Sequence, residues 1–214
     1  MFRAILETQW KGTRAMVLLA TIVGFALPLA SYQFATGAYG PGDYVNRMQV
    51  FGVGYALLAA GIGLVVSLAA WSFDHRGGHV YALSLPVTRA RYVLMRLGAG
   101  AVFLAPPTIA VLLGALLIAA LGSLPPGLHA YPVALTLRFA FAALVAYALF
   151  FAIGSSTQRT AGIVLGSIAA LFLAQYVLSL VDVKFDLLRR VFELAFTSPG
   201  VFSVFAGRWS LVDA

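Results

Sequence analysis

The sequence predicts an all-α fold, a polytopic bundle of transmembrane helices, from three observations. Hydrophobic residues make up 62% of the 214 and charged residues only 10%, against about 25% charged in soluble domains. Mean hydropathy is +0.95. The apolar residues gather into runs near the ~20 residues that a helix needs to cross hydrocarbon. All seven carboxylates, Glu7, Asp43, Asp74, Asp182, Asp186, Glu193 and Asp213, lie outside those runs or at their ends.

In chain order, Met1–Arg14 reads as an amphipathic helix, with Phe2, Ile5, Leu6 and Trp10 suited to lipid and Arg3, Lys11 and Arg14 suited to headgroups. A plain lead-in helix is the alternative for this stretch. It has neither the apolar core nor the small-residue cleavage site of a signal peptide, so Met16 onward reads as a retained anchor. Five spans are expected: Met16–Tyr32, Val50–Phe73, Leu97–Leu121, Val133–Gly154 and Ala161–Val181. Ala35–Asp43 and Gly122–Pro132 are Gly/Pro-rich turns, and Ser155–Thr160 is short enough for a tight hairpin. Pro106 and Pro107 remove two consecutive donors from the third span and kink it, as a hinge or as fixed shape. Gly52, Gly54, Gly61 and Gly63, with Gly162 and Gly166, suit close helix contact within or between subunits, or generic bundle packing. Beyond Val181, Phe192–Ala206 contains Glu193, Pro199 and Gly200 and reads as exterior or re-entrant helix rather than a sixth crossing. No fixed-period repeat divides the chain, so residues 1–214 form a single domain.

Orientation follows from the basic residues. Up to residue 160, eight fall on one side of the spans (Arg3, Lys11, Arg14, Arg76, Arg89, Arg91, Arg96 and Arg159) and two on the other (Arg47 and Arg138). The positive-inside rule then places the N-terminus in the cytoplasm. The stretch Asp74–Arg96 lies between spans two and three on that same side. Pro86 cannot continue a helix and biases Leu85 away from helical geometry, so a pattern carried by Val80 and Leu83 stops there. Thr88 can cap a fresh helix that passes Arg89, Arg91 and Arg96 before entering apolar sequence.

Several function classes are excluded or disfavoured. The net charge of +7 is dispersed over loops, which suits anionic lipid headgroups and not nucleic acid. With no carboxylate inside the apolar runs, a self-sufficient proton- or sodium-coupled transporter is disfavoured. Arg138, Gln175 and Tyr176 are the polar candidates for a pathway, with a snorkelling anchor and interhelical hydrogen bonding as the alternatives. No Gly-x-Ser-x-Gly, His-Glu-x-x-His or P-loop occurs, and Ser155–Ser156 has no histidine nearby in sequence. His75 and His79 follow Asp74 at helical spacing, but Gly77–Gly78 weakens that helix, so a solvated loop outweighs a metal site and none is assigned. Cysteine is absent, which removes disulfides and thiolate metal sites.

An N-terminal amphipathic stretch with Trp10 and Lys11, a span, a second span ending in Trp71-Ser-Phe-Asp-His-Arg-Gly-Gly and then YALSLPVTRARYVLMRL resemble the membrane subunit of type-2 ABC transporters. The positions that carry the likeness are Asp74, Arg76, Gly78, Leu83, Ser84, Leu85, Pro86, Val87, Thr88 and Arg89, with Thr197-Ser-Pro-Gly, Phe202 and Phe205 resembling the exterior segment after span five. The resemblance implies a cytoplasmic coupling helix within 74–96, an interfacial elbow helix over 1–15 and an exterior segment over 182–214. It also implies six spans, the sixth expected beyond residue 214. It further implies a non-catalytic permease, an exporter in the bacterial cytoplasmic (inner) membrane. That permease works with two copies of a separate ATPase, which binds ATP and Mg, and with a second permease subunit. A non-transporting scaffold or sensor, or a membrane-embedded enzyme, are the alternatives.

Overall fold

The computed structural model describes residues 2–76, 88–156, 158–180, 193–194, 196–197 and 200–213. Helix α1 runs Phe2–Ala35 without a break, about 50 Å at 1.5 Å per residue. Its buried stripe, Gln9, Thr13, Val17, Ala20, Gly24, Pro28, Ser31 and Ala35, recurs every three or four residues. The expected elbow over 1–15 is therefore not set off as a separate interfacial helix. Gln9 and Thr13 continue the inward stripe of the span, and no proline interrupts the helix before Pro28. Phe2, Trp10 and Lys11 are exposed, Ile5 and Leu6 half-buried, and Trp10 stacks on Phe103 at 5.6 Å.

A helix that the sequence reading left as turn precedes the second span. Helix α2, Pro41–Val50, starts with proline at its first position, where the missing N–H costs nothing. Tyr44 and Met48, four apart, give it a buried face. Asp43 accepts bonds from Arg47 Nε (3.0 Å) and the Tyr39 N–H (3.2 Å), tying the entry loop to the first turn. Phe51 separates α2 from α3, Gly52–Arg76.

The kink expected at Pro106–Pro107 lies just before them. Helix α4, Arg89–Val102, gives way at Phe103–Leu104 to α5, Ala105–Leu121, and the prolines fall in the first turn of the new helix. The break has a packing consequence: α4 leans on α1, α3 and α6, whereas α5 packs chiefly on α1. Helix α6 spans Pro132–Gly154 and α7 Gln158–Leu180. A two-residue antiparallel ladder pairs β1, His129–Ala130, with β2, Val212–Asp213, and a 3₁₀ turn occupies Val201–Val204.

Four helical stretches, Phe2–Ala35, Pro41–Ser72, Arg89–Leu121 and Pro132–Gly154, are long and apolar enough to cross a membrane. The chain is thus a multi-pass helical membrane protein. Helix α7 covers the expected fifth span, with Gly162–Leu171 as its apolar stretch among the described residues.

Two helix pairs form the bundle's tight contacts, α1 with α5 and α3 with α6. Both rest on glycine. A β-carbon on Gly114 would stand 2.6 Å from the Phe25 carbonyl of α1, and one on Gly63 would stand 2.7 Å from the Tyr147 nitrogen of α6. Backbones this close need a small residue at the crossing. Gly61, two residues before Gly63, faces open space. Gly63→Ala should therefore destabilise the protein by about 1–3 kcal/mol through overpacking, whereas Gly61→Ala should be neutral or stabilising by up to ~1 kcal/mol from helix propensity. Reversible unfolding in mixed detergent–SDS micelles measures both.

Candidate functional site

The end of the bundle that carries residues 77–87 is organised around one cation. Helix α4 turns Tyr92, Arg96, Ala99 and Gly100 inward while Arg89, Arg91 and Leu94 stay exposed. Arg96 is only 5% exposed. Its Nη1 donates to the Ala70 carbonyl in the last turns of α3. The guanidinium carbon also lies 5.3 Å from the ring centre of Trp71 and 4.9 Å from that of Tyr92. A buried cation is costly unless carbonyls and aromatic faces replace its water, and here both do.

The backbone of Arg96 is held as firmly as its side chain. Gln9 Nε2 on α1 donates to the Arg96 carbonyl (3.5 Å), and Tyr147 Oη on α6 donates to the Leu97 carbonyl (3.0 Å) and to that of Arg96 (3.4 Å). The Tyr147 ring reaches these carbonyls because position 100 is glycine; a β-carbon there would collide with the phenol. Trp71 Nε1 in turn donates to the Phe151 carbonyl of α6 at 3.1 Å, with the two rings 5.0 Å apart. Side chains or carbonyls from α1, α3, α4 and α6 thus meet at one depth.

The coupling residues divide as follows. Asp74 and Arg76 lie by their backbone on the last turn of α3. Gly78, Leu83, Ser84, Leu85, Pro86 and Val87 fall outside the described residues. Thr88 is the N-cap residue of α4, extended at φ −64° and ψ 143°, with its carbonyl accepting the Tyr92 N–H and no side-chain cap bond. Arg89 is exposed at the first helical position. The two ends of this segment are joined by the Arg96–Ala70 bond. Gln175 and Tyr176 lie on α7, their side chains outside the described residues.

Arg138 occupies a second node at the opposite end. Half-buried on α6, it donates from Nε to the Val204 carbonyl (3.0 Å), from Nη1 to that of Arg208 (2.5 Å) and from Nη2 to that of Ala206. Its guanidinium carbon lies 4.8 Å from the ring centre of Trp209, which stacks at 5° on Tyr55 of α3. Gly207, at φ +80°, supplies the left-handed residue that lets three carbonyls converge on one fork. The β1–β2 ladder and the Tyr131 N–H to the Leu211 carbonyl (2.8 Å) complete the attachment. In this arrangement Arg138 anchors the 200–213 segment.

Sequence reasoning counted Arg96 only as a flanking charge, quoted Trp71 only as the end of a span, and passed over Gln9 and Tyr147. The available signal was positional: Arg96 sits one turn beyond Tyr92 and one turn before Gly100, so the three share a helix face. Among the described residues no group of three His, Asp or Glu side chains converges. The node joins α1, α3, α4 and α6 close to where α3 ends and α4 begins.

Arg138→Ala should release residues 200–213, since bonds from a charged donor contribute more than neutral ones, and should accelerate amide hydrogen exchange there at least about tenfold. Arg138→Lys, a point charge without the planar fork, should rescue only part of the protection. Comparison with protein-family models, curated proteins and solved structures returned no match, so the residues of the two nodes carry the functional reading.

Proposed function

We propose that this chain is the permease subunit of an ATP-driven transporter of the type-2 ABC kind, an exporter in a bacterial cytoplasmic membrane. It pairs with a second permease subunit and two copies of a partner ATPase. The partner binds ATP and Mg; this chain has no P-loop and supplies no catalytic residue. Five spans cross the membrane, α7 being the fifth, and a coupling helix between α3 and α4 docks on the ATPase.

The observation that carries this reading is the Arg96 node. A docking segment can drive a membrane bundle only if force applied to it reaches the spans. Arg96 ties α4 to the Ala70 carbonyl of α3, so the two helices leaving the segment move as one lever. Gln9 and Tyr147, bonded to backbone carbonyls of that lever, pass its movement to α1 and α6. Closure of the ATPases around ATP would then be felt across four helices as a rigid-body shift. The absence of carboxylates from the apolar runs favours an external energy source over ion coupling.

Affinity purification of the membrane complex in mild detergent should recover a P-loop ATPase, identified by mass spectrometry. The double change Leu83→Asp, Arg89→Glu should lose it while the chain stays helical. A stable wild-type complex without any ATPase would defeat the proposal. Arg96→Met should behave differently: the ATPase still co-purifies, because the docking segment is untouched, but ATP no longer alters spin-label distances between α3 and α6. The natural absence of cysteine permits such labels without background.

A further inference from the structure

A cavity of about 360 Å³ opens between the outer part of α3 and the 200–213 segment, with Gln49, Arg208 and Trp209 among its walls. This is within the range of small-ligand sites. Below it an almost wholly apolar groove of about 210 Å³ lies between α1 and α3. Leu57 lines both, so one ends where the other begins. Val53, Leu57, Gly61 and Val65 follow at four-residue intervals on one face of α3, covering about 18 Å of helix. That exceeds half of the ~30 Å hydrocarbon thickness.

The two parts differ in chemistry in the way an amphiphile does. At the wide end Arg208 is exposed and makes no ion pair with a described residue, beside the amide of Gln49. Its position is fixed from behind: its carbonyl accepts from Arg138, and neighbouring Trp209 is buried against Tyr55. Along the narrow end Gly61 leaves open space where any larger side chain would fill the groove. We propose that this is a binding site for an anionic phospholipid, its phosphate at Arg208 and Gln49 and one acyl chain lying along the α3 face between α1 and α3.

The full-length protein in detergent is titrated with phosphatidylglycerol and, separately, with phosphatidylcholine of the same chains, and bound lipid is counted by native mass spectrometry. Wild type should bind phosphatidylglycerol about fivefold more tightly, the preference expected of one basic residue at an anionic headgroup. Arg208→Gln should bring the two lipids to equal affinity, whereas Arg159→Gln, an exposed change at the start of α7, should leave the preference intact. Gly61→Trp should weaken both lipids by filling the groove. Equal binding of the two lipids by wild type, an unchanged preference in Arg208→Gln, or a preference lost equally in Arg159→Gln would each overturn the proposal. Displacement of the lipid by glycerol phosphate at matching concentration would also overturn it, because the acyl chain would then contribute nothing. Arg208 is exposed and its replacement leaves the core intact, so that variant decides the matter even if Gly61→Trp does not fold.

Discussion

A guanidinium cannot sit inside an apolar bundle without organising what surrounds it, and the loop end of this protein is arranged around that constraint at Arg96. Its donors need acceptors that the helices do not spend on their own ladders, and its charge needs polarisable surface in place of water. The Ala70 carbonyl in the last turns of α3 meets the first need with the lone pair that its own helix bond leaves unused. Trp71 and Tyr92 meet the second. Each partner then imposes a further demand. Trp71 must place its N–H on the Phe151 carbonyl, and Gly154 must stay small, since a β-carbon there would stand 2.8 Å from the indole.

Arg138 repeats this solution at the opposite end with a different purpose. Both arginines donate to backbone carbonyls and lay the guanidinium over a tryptophan face. Carbonyls and indole rings each offset part of the cost of taking the cation out of water. Arg96 joins helices that the 77–87 segment separates in sequence. Arg138 fastens a segment distant in sequence onto α6 and, through Trp209 and Tyr55, onto α3.

Much of the architecture was legible in the sequence, because hydrocarbon imposes one requirement, an apolar helix of fixed minimum length, that composition alone reveals. The ends of α5, α6 and the start of α4 fall at or within one residue of the expected positions, marked by Thr88, Gly122 and Gly154. The proline pair broke its span as missing donors require, one turn earlier than the prolines themselves. Features set by tertiary contact were not legible. Helix α2 is too polar for a span and too short for a strong periodic signal, yet burial of Tyr44 and Met48 secures it. No break marks the end of the expected elbow, and amphipathicity over fourteen residues does not distinguish a face turned to lipid from one turned to a neighbouring helix. Arg96 was counted as a flanking charge because proximity to a span end carries no information about which way the side chain turns.

The bundle's stiffness is unevenly distributed, and this bears on how a permease of the proposed kind would move. Within the α1–α5 and α3–α6 pairs, backbones touch at Gly114 and Gly63, and neither pair can slide without collision. The seam between the pairs is different: it contains an open groove along α1 and α3 and a glycine, Gly61, at which a β-carbon would meet only open space. At the loop end the seam is closed by Gln9 of α1, bonded to the Arg96 carbonyl that Tyr147 of α6 also meets, whereas at the other end Tyr55, Arg138 and Trp209 tie α3 and α6 to the 200–213 segment. Two rigid pairs joined at the loop end, with an open groove along part of their α1–α3 contact, accommodate a change of shape by widening or narrowing that groove, since hydrogen bonds at the node hold their partners while unfilled space costs little to compress. The break at Phe103–Leu104 divides the span into α4, which touches α1, α3 and α6, and α5, which packs chiefly on α1, so the span that serves both pairs can bend between its two roles.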